Sequence, residues 1–115
     1  MMFRAAALVV VSYGPDIEHV RSLIPGALAL EAWIMRDKPI RALIYYFTEF
    51  GVEFKVRCWI EDFVDTKISE DRLNTVIYKA LINANIPVPS LRTIIHLVDK
   101  ENELTISRQD DDFRS

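Results

Sequence analysis

The 115-residue chain carries one cysteine, three glycines and two histidines. A lone Cys58 excludes an internal disulfide framework and any multi-cysteine metal site within one chain. It fits a reducing, intracellular setting. Neither His19 nor His96 has a second histidine or cysteine at metal-ligand spacing, which argues against a zinc site within one chain and leaves open only one shared between subunits. Gly14, Gly26 and Gly51 form no phosphate-cradling pattern such as G-x-G-x-x-G. The longest apolar run, residues 5–11, is far short of the roughly 20 residues a bilayer-spanning helix needs. Arg4 precedes that run, yet no small-residue cleavage site comes before Tyr13, so no signal peptide is expected.

The composition is that of an ordinary globular chain, 50% hydrophobic and 27% charged, and its length suits one domain. The net charge of −3 is unevenly placed. Residues 1–98 hold 11 basic and 11 acidic side chains, whereas 99–115 hold six acidic and three basic. A neutral body with no basic stripe along the chain is a poor match for a polyanion, so no nucleic acid partner is expected. The organisation expected is one domain over 1–98 followed by an acidic tail over 99–115.

Ala5-Ala6-Ala7-Leu8-Val9-Val10-Val11 reads as a strand buried on both faces, ended by Ser12-Tyr13-Gly14-Pro15. Pro15, Asp16 and Glu18 suit the start of a helix. Ile17, Val20, Ile24, Ala27 and Leu28 follow at helical spacing, with a kink or break expected near Ile24 because Pro25 removes a backbone donor. Residues 40–47 form a second, aromatic-rich strand, and Thr48-Glu49-Phe50-Gly51 a short reversal. Val52, Phe54, Val56, Cys58 and Ile60 then alternate with Glu53, Lys55, Arg57 and Trp59, a half-buried strand that makes an antiparallel hairpin with its predecessor. Ser69 is the expected N-cap of a second helix, with Ile68 stapled onto Leu73 and an apolar face of Leu73, Val76, Ile77, Ala80, Leu81 and Ala84. Asn85 closes it in the left-handed conformation, Ile86-Pro87-Val88-Pro89 is extended, and 91–98 is a fourth strand. The order β-α-β-β-α-β predicts an α+β, ferredoxin-like fold: a four-stranded, mostly antiparallel sheet with two helices on one face. Residues 103–107, with Leu104 and Ile106 alternating, are a candidate extra strand, and Asp110-Asp111-Asp112 a solvated run.

Candidate chemistry is thin. Cys58 lies on the apolar face of its strand, where a thiol stays inert. The carboxylate pairs Glu61-Asp62 and Glu70-Asp71 fall at a strand end and a helix start, where acidic residues favour the helix dipole without catalysis. No enzyme activity, catalytic residue or cofactor is expected. Tyr45, Tyr46, Phe47, Phe50, Phe54 and Trp59 crowd one hairpin, most of them expected in the core. Trp59 falls on the polar face, either touching another chain or packing over the Arg57 stem or the tail.

Val9 through Val20, with Tyr13, Asp16 and Ile17, resembles the V-x-Y-x-x-D-hydrophobic-x-x-V opening of the carboxy-terminal α/β domain of small-conductance mechanosensitive channels. Phe47 to Asp62, with its Arg57-Cys58-Trp59 element, and the helix leading into Ile86-Pro87-Val88-Pro89-Ser90 extend that resemblance in the family's order. Val88 and Ser90 stand where the family usually has an aromatic and a glutamine. The resemblance implies one wall segment of a hollow cytoplasmic cage built from seven copies, a homoheptamer beneath the cell membrane with side portals for solutes. It implies subunit contacts at Val88 and Ser90, beside the contact weighed for Trp59. A tail strand would suit a small barrel closing the cage, and the membrane-spanning and middle β regions of the family would lie upstream. The competing expectation is a free-standing ferredoxin-like module that dimerises and binds a small metabolite. A hydrolase of the acylphosphatase type would need an anion-cradling loop that this sequence lacks.

Overall fold

A computed structural model describes residues 2–60 and 65–98. The elements run β1 (Met2–Val11), α1 (Ile17–Leu28), β2 (Arg41–Phe47), β3 (Val52–Ile60), α2 (Thr66–Asn83) and β4 (Ser90–Val98). The sheet order is β2-β3-β1-β4 with every neighbouring pair antiparallel. This is the expected ferredoxin-like arrangement, and both helices pack on one face of the sheet. The candidate strand at 103–107, the Glu61-Asp62 pair and the acidic run at 110–112 lie outside the described residues.

Alternation decides which side chains meet the helices. Ala5, Ala7, Val9 and Val11 of β1 and Val52, Phe54, Val56, Cys58 and Ile60 of β3 form one buried layer. Val20, Ile24 and Leu28 of α1 and Leu73, Ile77 and Leu81 of α2 close it from above. Leu8 and Val10 point the other way yet are also buried, as expected for a strand covered on both faces.

Three local expectations are corrected. Pro25 neither breaks nor ends α1, which continues to Leu28 with the Ala29 N–H bonded back to the Pro25 carbonyl. Burial of Ile24 and Leu28 on either side of the proline outweighs the one hydrogen bond it removes. Asp16, not Pro15, takes the N-terminal position, its carboxylate accepting from the Glu18 N–H at 3.0 Å. The second helix is capped by Asp65 rather than Ser69: one Asp65 oxygen accepts from Lys67 N–H at 2.7 Å and Ile68 N–H at 3.3 Å. A carboxylate carries two acceptors and a charge suited to the positive helix end, so it outcompetes the hydroxyl one turn later. Ser69 is buried inside the helix, and Ile68 is exposed rather than stapled to Leu73. At the other end Asn85 adopts φ 60°, and the Ile86 N–H reaches the Leu81 carbonyl at 2.9 Å, the expected left-handed closure.

Candidate functional site

Two surfaces stand out, one aromatic and one basic. The aromatic one sits at the β2–β3 turn. Period-two alternation would send Tyr46 to the helix side with Ile44, but a register shift between them changes the phase. Ile44 pairs with Phe54 before the shift, and Tyr46 pairs with Glu53 after it. Tyr46 therefore turns to the outer face, while Phe47, opposite the inward-facing Val52, lies on the helix side at the strand end. Tyr46, Phe47 and Phe50 are exposed at 65%, 62% and 66%, which corrects the expectation that most hairpin aromatics enter the core. Phe54 alone among the hairpin aromatics is fully buried.

The turn that carries Phe50 is tightly built. The Thr48 hydroxyl oxygen accepts from the Phe50 and Gly51 N–H groups at 3.1 Å each, and the Thr48 N–H donates to the Gly51 carbonyl at 2.8 Å. Tyr13, in the loop after β1, donates its hydroxyl hydrogen to the Thr48 carbonyl. That bond places Tyr13 beside Phe47, and the two rings help line a shallow depression with Gly14 and Pro15. A second depression joins Phe50 and Thr48 to Val10, Pro89 and Ser90. One end of the molecule thus presents Tyr13, Phe47 and Phe50 around a hydrogen-bonded turn, with Tyr46 exposed on the other sheet face beside it, apolar surface of the kind that marks contact with another protein.

Of the residues singled out from sequence, Ser90 reaches this patch. It is exposed at the head of β4, paired with Val10. Val88 is half-buried and packs against the core. Trp59 lies elsewhere: it pairs with Arg4, six positions along β1 from Val10, about 20 Å away at strand rise. It is half-buried, and Lys38 Nζ stands 5.2 Å from its ring centroid. The structure therefore does not gather Trp59, Val88 and Ser90 into one patch. The exposed face of Tyr46 depends on a bulge that no local pattern announces, and the exposure of Phe47 and Phe50 on their place at the strand end and turn.

The basic surface is the sheet face turned away from the helices. Arg4 of β1, Arg41 of β2, Lys55 and Arg57 of β3 and Arg92 of β4 all fall on it by register, with Glu53 as the one acid among the described residues. Charges evenly mixed along the chain are thus sorted by the pleat into a basic stripe, which the linear reading did not show. Lys55 is buried between Leu8 and Leu43, its Nζ 5.4 Å from the Tyr45 ring centroid. Arg41 and Arg57 stand directly opposite each other.

Titratable groups offer little reactivity. Burial pushes the Cys58 thiol from 9.0 up to about 12, because the thiolate would lose its hydration. His19 is exposed on α1. Among the described residues no three of His, Cys, Asp or Glu come together as a metal site. Nor is any described helix long and apolar enough to cross a membrane.

No protein-family model matches the sequence, and no curated protein matches it. Among solved structures, the chain is similar to Helicobacter pylori MscS in its closed state, with TM-score 0.66 and 24% identity over 87% of this chain. The match spans 40% of that channel chain. It is also similar to a dimeric Bacteroides fragilis protein of unknown function and ferredoxin-like fold, with TM-score 0.50 and 13% identity over 84% of this chain and 96% of the other. At these identities the likeness establishes the fold.

Proposed function

We propose that this chain is the cytoplasmic cage domain of a small-conductance mechanosensitive channel, a structural wall segment with no chemistry of its own. The observation that carries the reading is the match to 40% of the H. pylori channel chain across 87% of this one. Beside it stands the resemblance of Val9–Val20, Phe47–Asp62 and Ile86–Ser90 to the family in order and spacing. On this reading the membrane-spanning part is supplied by segments outside these residues, and several copies stand side by side around the solute path. The exposed Tyr13, Tyr46, Phe47 and Phe50 supply the apolar contact with one neighbour. Trp59, about 20 Å along the sheet from Ser90, belongs to a second contact, as a ring with head-to-tail interfaces requires. A thiol held near 12 and buried favours a passive role for Cys58.

The test is a chimera in which this chain replaces the corresponding domain of the H. pylori channel. Native mass spectrometry is expected to show the parent channel's subunit number, and membrane patches to retain tension-gated currents. A chimera whose grafted domain is folded but which stays monomeric would sink the proposal.

The B. fragilis neighbour supports a second reading, a free-standing dimeric module, because the match takes in 96% of a chain described as dimeric. Sedimentation of the isolated chain separates the two. A dimer that persists at micromolar concentration, with a metabolite that raises its melting midpoint, favours the module; a monomer favours the tethered cage, where high local concentration drives assembly.

A further inference from the structure

We infer that the cavity between Tyr13 and Phe47 receives Leu30 of a second copy of this chain, each copy giving Leu30 to one neighbour and taking it from another. This rests on the reading of the aromatic end as a subunit contact and names what that end holds. The cavity opens beside the start of α1. Val20, Val52 and Phe54, all buried, form its floor, and Tyr13, Pro15 and Phe47 stand at its mouth. The Tyr13 hydroxyl, bonded to the Thr48 carbonyl, ties the two sides of that mouth together. Its volume is about 220 Å³. A cavity of about 150 Å³ accepts benzene, a larger group than a leucine side chain, so Leu30 fits.

Leu30 is 82% exposed, more than any other large hydrophobic side chain among the described residues. One exposed leucine is ordinary by itself. This one is held out by its backbone. The Leu30 N–H bonds to the Ala27 carbonyl at 3.3 Å and the Glu31 N–H to the Leu28 carbonyl at 3.0 Å, while Leu28 before it and Ile34 after it are buried. Leu30 follows the far end of α1, whose 12 residues span about 18 Å. Knob and cavity therefore lie at opposite ends of one helix, and a chain cannot seat its own Leu30. Charge favours the same meeting. The segments framing the cavity, 12–20 and 42–54, carry Asp16, Glu18, Glu49 and Glu53 with no lysine or arginine. The segment bearing Leu30, 29–41, carries Arg36, Lys38 and Arg41 against Glu31 and Asp37. Two cavity ends repel each other, whereas a cavity end and a Leu30 end do not. Copies related by a rotation axis repeat this contact from one neighbour to the next.

The experiment uses the full chain at millimolar concentration, which matches the effective concentration a short tether provides. An equal mixture of isotope-labelled and unlabelled chains is read by isotope-filtered NMR. The expected result is contact between the Leu30 methyl groups of one copy and Val20, Val52 and Phe54 of another. Sedimentation should show an average mass that climbs past two copies as concentration rises from micromolar to millimolar. Leu30→Asp is expected to abolish both signals with its amide spectrum still that of the folded chain, and Leu30→Met, which conserves volume, to keep both. Absence of contact between copies, contact of Leu30 with another surface, a mass that stops at two, or association indifferent to Leu30→Asp would each overturn the inference. The channel chimera separates it from the reading beneath it. A chimera that assembles while the isolated chain shows no Leu30 contact removes this inference and leaves the channel reading; a monomeric chimera alongside the Leu30 contact does the reverse.

Discussion

Gly51 backs directly onto Val11: a Cβ built on Gly51 would meet the Val11 carbonyl oxygen at 2.0 Å and its carbon at 2.7 Å. The contact is backbone against backbone, at the point where Val11 pairs with Val52, so neither side can turn away. It is the closest approach that joins the aromatic turn to the end of β1.

Gly51→Ala is therefore expected to cost about 3 kcal/mol, the upper range for overpacking, and to lower the urea midpoint. Gly26→Ala is expected to act in the opposite sense. Nothing lies within 4 Å of the added Cβ, and Gly26 is inside α1, so a gain of up to about 1 kcal/mol follows from helix propensity. Equal effects at the two positions would contradict the close approach at Val11.

Thr93 on β4 donates a hydrogen bond to the Asn74 side-chain oxygen on α2 at 2.6 Å. Thr93→Val keeps the shape and removes the donor. Asn74 is half-buried and keeps some access to water, so the expected loss is about 1 kcal/mol in denaturant unfolding. A Thr93→Val, Asn74→Ala double-mutant cycle should show coupling, and additivity would mean the bond does not hold β4 to the helix.

Asp65→Ala is expected to destabilise by about 1 kcal/mol, because two N–H groups lose their acceptor. Ser69→Ala, at a buried position inside the helix, should leave the helix start unchanged in amide-exchange measurements. The reverse ranking of helix-end protection would restore Ser69 as the cap.

The Cys58 thiol has its proton held by burial from 9.0 up to about 12. Between those values the unfolded chain has released this proton while the folded chain keeps it. The stability it contributes is thus complete below pH 9 and is lost as pH rises through the window. Relative to Cys58→Ala, the wild-type chain should lose on the order of 1.4 kcal/mol per pH unit from pH 9 upward, with a flat difference below it. Urea unfolding of both proteins from pH 7 to 11 measures this, and parallel curves throughout would refute it.

Phe47→Ser and Phe50→Ser remove large exposed rings, so isolated-chain stability should move by no more than about 0.5 kcal/mol. In the channel chimera the same changes should lower the yield of assembled rings in native mass spectrometry. Unchanged assembly would remove the aromatic end from the subunit contact.

Much of this architecture is legible in local pattern. The alternation of Val52, Phe54, Val56, Cys58 and Ile60 identifies both the strand and its inner face, since a side chain every second residue must point the same way. Asn85 followed by Ile86-Pro87 marks the end of α2, because asparagine tolerates positive φ and the pre-proline residue leaves the helical region. The start of α2 was not legible to the residue: Asp65 and Ser69 are both capable caps one turn apart, and the choice falls to the carboxylate. Pro25 misleads in the other direction, because the burial that carries α1 past it comes from residues far away in sequence. The contact surface was harder still. Trp59 and Ser90 are visible as unusual residues, but whether they share a patch depends on how β3 and β4 pair with β1.

The order of strands and helices, and the inner faces of α1, α2, β1 and β3, follow from the amino-acid sequence itself, because backbone preference and hydrophobic period act between near neighbours. The outward turn of Tyr46, the Gly51–Val11 approach and the gathering of Arg4, Arg41, Lys55, Arg57 and Arg92 belong to the tertiary structure alone. Each depends on register between paired strands, whether the consecutive β2 and β3 or strands distant in the chain, where a shift of one residue carries a side chain to the opposite face.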